Sequence, residues 1–129
     1  MNAPADKLVL IVEDDAATAD LIRLALRKEG WMAEVVRDGK SALARIGKAP
    51  VPWLVTLDIG LPDMSGVELI VAVKGAAGWE AVPIVMITAT PKEENVNWAI
   101  RQGAAGYIVK PIKVEDLQDA VRRLAKAPA

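Results

Sequence analysis

Trp53-Leu54-Val55-Thr56-Leu57-Asp58 is followed by Ile59-Gly60-Leu61-Pro62, so an apolar run ends on one aspartate and gives way to turn-forming residues. Three other runs are built alike. Leu8-Val9-Leu10-Ile11-Val12 runs into Glu13-Asp14-Asp15, Ile84-Val85-Met86-Ile87 ends on Thr88, and Tyr107-Ile108-Val109 ends on Lys110-Pro111. Short, continuous apolar runs are what strands look like when helices cover both faces of a parallel sheet. If the four lie parallel in one sheet, their endings gather at its carboxyl edge, where open α/β folds bind ligands. An acid cluster, a lone aspartate, a hydroxyl and a lysine then share one crevice. That set can hold a divalent cation and steady a phosphoryl group on a carboxylate.

Outward from these runs, strand and helix patterns alternate five times, which argues for a doubly wound α/β domain with helices on both faces. Met32 to Val36, the least apolar strand, is expected at an edge. Leu21, Leu24 and Ala25 mark the inner stripe of the first helix, which should stop near Gly30. Ser65 and Glu68 read as a capping box opening the third helix. Pro91 and Gly103 suit the two ends of the fourth, whose inner stripe is Val96, Ala99 and Ile100, with Trp98 off it. Val114, Leu117, Val121 and Leu124 give the last helix a regular apolar face.

The composition narrows the function classes. A chain of 129 residues is one domain, large enough for a core without staples. Its net charge of −1 gives no global field directed at nucleic acid or membrane. The absence of cysteine excludes disulfides and thiolate chemistry, and fits a reducing compartment. No apolar stretch is long enough to span a bilayer, and Met1 to Asp6 lacks the pattern of a signal peptide, so a cytoplasmic location is expected. Histidine is also absent, which excludes the usual serine and cysteine triads, histidine zinc sites and a phosphohistidine on this chain. Any histidine chemistry must come from a partner.

Val-Glu-Asp-Asp at 12–15, Leu-Asp-Ile-Gly-Leu-Pro-Asp-Met-Ser-Gly at 57–66, Ile-Thr-Ala at 87–89 and Val-Lys-Pro at 109–111 resemble the receiver domains of two-component response regulators. Residues 88–111 are especially similar to single-domain chemotaxis regulators of the CheY-like type. Any one motif alone is weak evidence; four in order, each at a strand end, are specific. The resemblance covers residues 7–126, leaving 1–6 as a flexible arm and 127–129 as a short tail with no output domain. It implies a flavodoxin-like sheet of five parallel strands in the order 2-1-3-4-5.

The same resemblance implies roles. Asp58 is the phosphoacceptor, fed by a sensor histidine kinase or a histidine phosphotransfer protein. Asp14 and Asp58 ligate Mg²⁺ directly, the Gly60 carbonyl adds a third oxygen, and Glu13 acts through water. Lys110 and Thr88 meet the phosphoryl oxygens, joined by the backbone N–H groups of Ala89 and Ile59. Tyr107, with Thr88, is the switch, and Lys110-Pro111 is a cis bond. Asp15 matches no ligand position and is read as the cap of the first helix. The chain is expected to assist its own phosphorylation and dephosphorylation rather than act as an enzyme. Its output is expected on the face of the fourth helix, fifth strand and fifth helix, toward a target protein or a phosphorylation-dependent homodimer, without direct contact to nucleic acid or membrane. Departures from the family pattern are few: Ile112 replaces the aromatic residue common after Lys-Pro, and Gly60 and Thr90 occupy two variable positions.

Other readings fit less well. A flavin-binding flavodoxin needs a phosphate-cradling loop after the first strand, where Glu13-Asp14-Asp15 would repel phosphate. A haloacid-dehalogenase-type phosphatase needs a second acid two residues after Asp58, and Gly60 stands there. No GxxxxGK phosphate loop exists. The alternative that remains is a receiver-like module that binds protein partners without phosphorylation.

Overall fold

The computed structural model describes residues 7–89 and 93–126. Its elements follow in strict alternation: β1 (Leu8–Val12), α1 (Ala16–Arg27), β2 (Met32–Val36), α2 (Gly39–Arg45), β3 (Leu54–Asp58), α3 (Gly66–Gly75), β4 (Ile84–Thr88), α4 (Glu93–Arg101), β5 (Gly106–Val109) and α5 (Val114–Lys126). The strands form one parallel sheet in the order β2-β1-β3-β4-β5, so β2 is the edge strand that its weak apolarity implied. Direct pairing of β1 with β3 and of β3 with β4 aligns Val12 with Leu57, and Asp58 with Ile87. The endings quoted above therefore meet along one edge.

Alternation along the strands divides the core into two layers. Leu10, Val55, Leu57, Ile84 and Met86 face one layer with Leu69, Ile70 and Val73 of α3 and Ala99 of α4. Val9, Ile11, Leu54, Val85 and Ile87 face the other, with Ile22 and Leu26 of α1 and Leu117 and Val121 of α5.

Caps explain the helix boundaries. Asp15 accepts the Thr18 N–H and opens α1. Ser65 Oγ takes the Val67 N–H, while the Glu68 N–H goes to the Ser65 carbonyl, so Ser65 is the cap but does not bond Glu68 through its hydroxyl. Gly30 and Gly103, at φ +88 and +114, take the left-handed conformation that ends α1 and α4. Pro91 lies outside the described residues, and so does the side chain of Val96. Among the described X-Pro bonds, Ala49–Pro50 and Lys110–Pro111 are cis; only the second was expected.

The helix faces need two corrections. On α1 the buried residues are Ala19, Ile22, Ala25 and Leu26, while Leu21 and Leu24 are exposed. Leu-Ile-Arg-Leu-Ala-Leu is apolar around most of the turn, so the stripe is wider than the face that the sheet covers. On α4, Ala99 is fully buried but Ile100 is exposed, one position off the contact line. Trp98 is partly exposed, as its place off the stripe required.

Candidate functional site

The site begins where β1 and β3 run out. Glu13 extends the ladder by one residue, its N–H donating to the Val36 carbonyl at 3.0 Å, which carries its side chain inward to complete burial. Asp14 follows in the turn, half-buried, before Asp15 caps α1. Asp58, the last residue of β3, is also buried. One carboxylate oxygen from each of Glu13, Asp14 and Asp58 lies within 4.8 Å of the others.

Lys110 closes the cluster from just past the end of β5. Its N–H donates to the Thr88 carbonyl at 2.8 Å, tying it to the end of β4. Its Nζ stands 3.3 Å from Asp58 Oδ2, and 3.2 and 3.3 Å from Glu13 Oε1 and Oε2. The contact to Oε1 lacks hydrogen-bond direction, so that buried oxygen has no hydrogen-bond partner. Thr88 is buried at the same edge, Ala89 follows it at the surface, and Tyr107 is exposed two residues behind Val109.

Two carboxylates and one ammonium in so small a volume perturb one another. Burial pushes Glu13 up to about 7, assisted by the neighbouring charge and hydrogen bond of Asp58, against the Asp15 N–H and Lys110. Burial also acts to raise Asp58, but the Gly60 N–H, contacts with Asp14 and Glu13, and the Lys110 charge together hold it below its usual range. Burial alone would lower Lys110; the charges of Asp58 and Glu13 outweigh it and hold the ammonium above its ordinary value. Of these three groups, Glu13 is therefore the carboxylate that takes up a proton most readily, while the other two are shifted toward their charged forms.

The loop after Asp58 is tightly folded. Gly60 N–H donates to Asp58 Oδ1 at 2.8 Å, and Gly66 N–H returns to the Ile59 carbonyl at 3.2 Å. A Cβ on Gly66 would stand 2.5 Å from Ile59 Cα and 2.7 Å from the Asp58 carbonyl oxygen, both backbone atoms with no room to yield. Here one sequence expectation fails. The Ile59 N–H is taken by the Ile87 carbonyl at 3.2 Å, because the β3–β4 ladder continues past Asp58. The amide facing the carboxylate is that of Gly60, one residue later.

The donor set suits a hard divalent cation. Oxygen ligands, a buried oxygen on Glu13 that makes no hydrogen bond and a local excess of carboxylates over cations match an ion such as Mg²⁺, which keeps waters and needs few protein carboxylates. Sequence reading missed Arg37. Its Nη2 and Nε donate to the Asp14 carbonyl at 2.7 and 3.2 Å across 23 residues of chain, a link that no local pattern announces.

Residues 9–122 match the family model described as the response regulator receiver domain. Among curated relatives, the chain is 38% identical over 114 residues to the DNA-binding response regulator MtrA of Mycolicibacterium paratuberculosis, covering 88% of this chain and 49% of the relative. It is 36% identical over 118 residues to the sensory transduction protein RegX3 of Mycobacterium bovis, covering 92% and 50%. The chain thus spans about half the length of the curated relatives it matches. Among solved structures, a CheY-like receiver domain protein from Methanospirillum hungatei superposes with a TM-score of 0.84 at 32% identity, over 95% of this chain and 96% of that one. The chemotaxis response regulator CheY4 of Vibrio cholerae gives 0.84 at 28% identity, over 93% and 99%.

Proposed function

The chain belongs to the response regulator receiver domain family, and from that membership we propose that it accepts a phosphoryl group on Asp58 from a phosphohistidine. The donor is a sensor histidine kinase or a histidine phosphotransfer protein, which fits a chain that has no histidine of its own. The observation that carries the reading is the cluster of buried Glu13 and Asp58 with half-buried Asp14, and Lys110 against it.

In this reading a carboxylate oxygen of Asp58 attacks phosphorus. The bond between phosphorus and the donor's imidazole nitrogen breaks; that nitrogen keeps the electron pair and takes up a proton. The Gly60 N–H fixes one Asp58 oxygen, which orients the nucleophile. Lys110, now paired with Asp58, turns its charge to the incoming phosphoryl oxygens, and the Thr88 hydroxyl and Ala89 N–H add donors. Glu13, Asp14, Asp58 and the Gly60 carbonyl are the groups that would hold Mg²⁺, which when bound neutralises charge developing on the transferring group. The same residues assist hydrolysis of the acyl phosphate. The chain is thus a reactant that aids its own resetting, not an enzyme that turns over a separate substrate.

Output follows from the same groups. Thr88, drawn toward the phosphoryl group, leaves space behind it that Tyr107 fills from its exposed position. That rearranges the surface around Tyr107, Val109 and Trp98, which are exposed on α4 and β5. A target protein or a second phosphorylated copy reads this surface.

Incubation with Mg²⁺ and acetyl phosphate tests the reading by mass spectrometry. One added phosphoryl group is expected, stable to acid quenching, removed by hydroxylamine and absent from Asp58→Asn. A wild-type protein that takes up none, or takes it on a serine or threonine, overturns the reading and leaves the phosphorylation-independent binding module in its place.

A further inference from the structure

We infer that the segment Arg37–Lys40, the β2–α2 turn with the first residues of α2, which contributes no ligand, is a strap that positions both acidic loops of the cation site, with Arg37 and Asp63 as its positioning residues. The inference rests on the proposed Mg²⁺ site and extends it to groups outside the cluster. One end of the strap is the Arg37 guanidinium, whose Nη2 and Nε converge on the Asp14 carbonyl. That carbonyl lies between the end of β1 and the cap of α1, outside both regular elements, so the fork fixes the peptide group that aims the Asp14 carboxylate.

The other end is made two residues later. Gly39 and Lys40 donate their N–H groups to Oδ1 and Oδ2 of Asp63, at 2.8 and 2.9 Å. Asp63 sits in the loop that follows Asp58 and carries Gly60, and the Gly66-to-Ile59 bond closes that loop onto the strand end. Between the two ends, Asp38 accepts the Ser41 N–H at 2.6 Å and holds the turn at the head of α2. The β1–β3 ladder sets the spacing of the strands only as far as Val12 and Leu57. Beyond that register, hydrogen bonds through one turn link the two ligand loops. Outer partners that orient ligands commonly govern metal affinity in this way.

Charge and geometry act in opposite senses at Arg37, which decides the choice of variant. A guanidinium near the site opposes cation binding by Coulomb repulsion, so a neutral substitution would relieve repulsion while releasing Asp14. Arg37→Lys keeps the charge and removes the fork. Calorimetric titration with Mg²⁺ should show affinity roughly tenfold weaker in Arg37→Lys, the lower end of the range for loss of an outer partner. Asp63→Asn, which weakens the second attachment, should also lower affinity. The double variant should lose less than the product of the two factors, because either change already frees the strap. Urea unfolding of each variant without Mg²⁺ verifies that it remains folded; if Arg37→Lys does not fold, Asp63→Asn alone carries the test. Affinities within twofold of wild type in the folded variants overturn the strap, as does a double variant whose losses multiply. A wild-type protein that binds no Mg²⁺ instead overturns the site on which the strap depends.

Discussion

At the carboxyl edge of the sheet, Glu13 and Asp58 lie buried beside Lys110. At the amino edge, Trp31 meets Trp53 edge to face at 6.1 Å, and Lys7 Nζ stands 5.5 Å from the centre of the Trp31 ring. Both places combine burial with a lysine, to opposite effect. Aromatic pairing and a cation over a ring add to the burial of apolar surface. Two buried carboxylates sharing one ammonium cannot both ionise without cost, and desolvation offsets much of their attraction to it. One end of the molecule therefore supplies stability, while the other gathers acidic groups that could hold a metal ion.

The largest expected departure from that contrast comes from the amino edge. Trp31→Ala should lose about 3–5 kcal/mol of unfolding free energy, as large-to-small core changes do, while Mg²⁺ affinity stays within twofold of wild type. Urea unfolding paired with calorimetry checks both halves. A large loss of Mg²⁺ affinity in a folded Trp31→Ala protein would show that the two ends are not separable.

Gly66→Ala sharpens the comparison from the other side. The added Cβ meets backbone on Ile59 and Asp58, so the protein should lose roughly 1–3 kcal/mol, in the range for overpacking. Asp58 must shift with its loop, and the rate of phosphorylation by acetyl phosphate should fall at least tenfold even where the variant is fully folded. Unchanged kinetics in the folded variant would mean that the loop does not set the geometry of Asp58.

Glu13→Gln should act with the opposite sign. Because the folded state raises Glu13 to about 7 from 4.5, it binds a proton in that interval that the unfolded chain has lost. Stability of the metal-free protein should accordingly fall as pH rises from 4.5 toward 7, and level off above. Glu13→Gln removes that slope and should be roughly 1–3 kcal/mol more stable than wild type above pH 7, with the advantage vanishing below 4.5. Parallel pH profiles in the two proteins would contradict the assignment.

These contrasts also show what was legible in the sequence. The five strands and their shared edge could be read because runs such as Leu8–Val12 and Ile84–Ile87 are apolar throughout and lead straight into Glu13 and Thr88. Buried faces of helices were harder to read. In α1 the apolar arc is wider than the face covered by the sheet, so Leu21 and Leu24 look like Ile22 and Leu26 until the strand positions are known. Ile59 and Gly60 could not be distinguished, because which amide is free depends on how far the β3–β4 ladder extends. Arg37 and Asp63 were invisible for another reason. Each is an ordinary charged residue after a strand or in a turn, and its partner lies more than twenty residues away.

A direct test of the account measures unfolding free energy against Mg²⁺ concentration at constant ionic strength, in wild type and in Asp14→Ala. If the carboxyl edge is held in readiness for a cation, wild-type stability should rise by about 1.4 kcal/mol per decade of Mg²⁺ once the dissociation constant is passed. Asp14→Ala should stay nearly flat over the same range. A flat wild-type profile, or an equal rise in both proteins, would contradict the claim that this edge is a cation site.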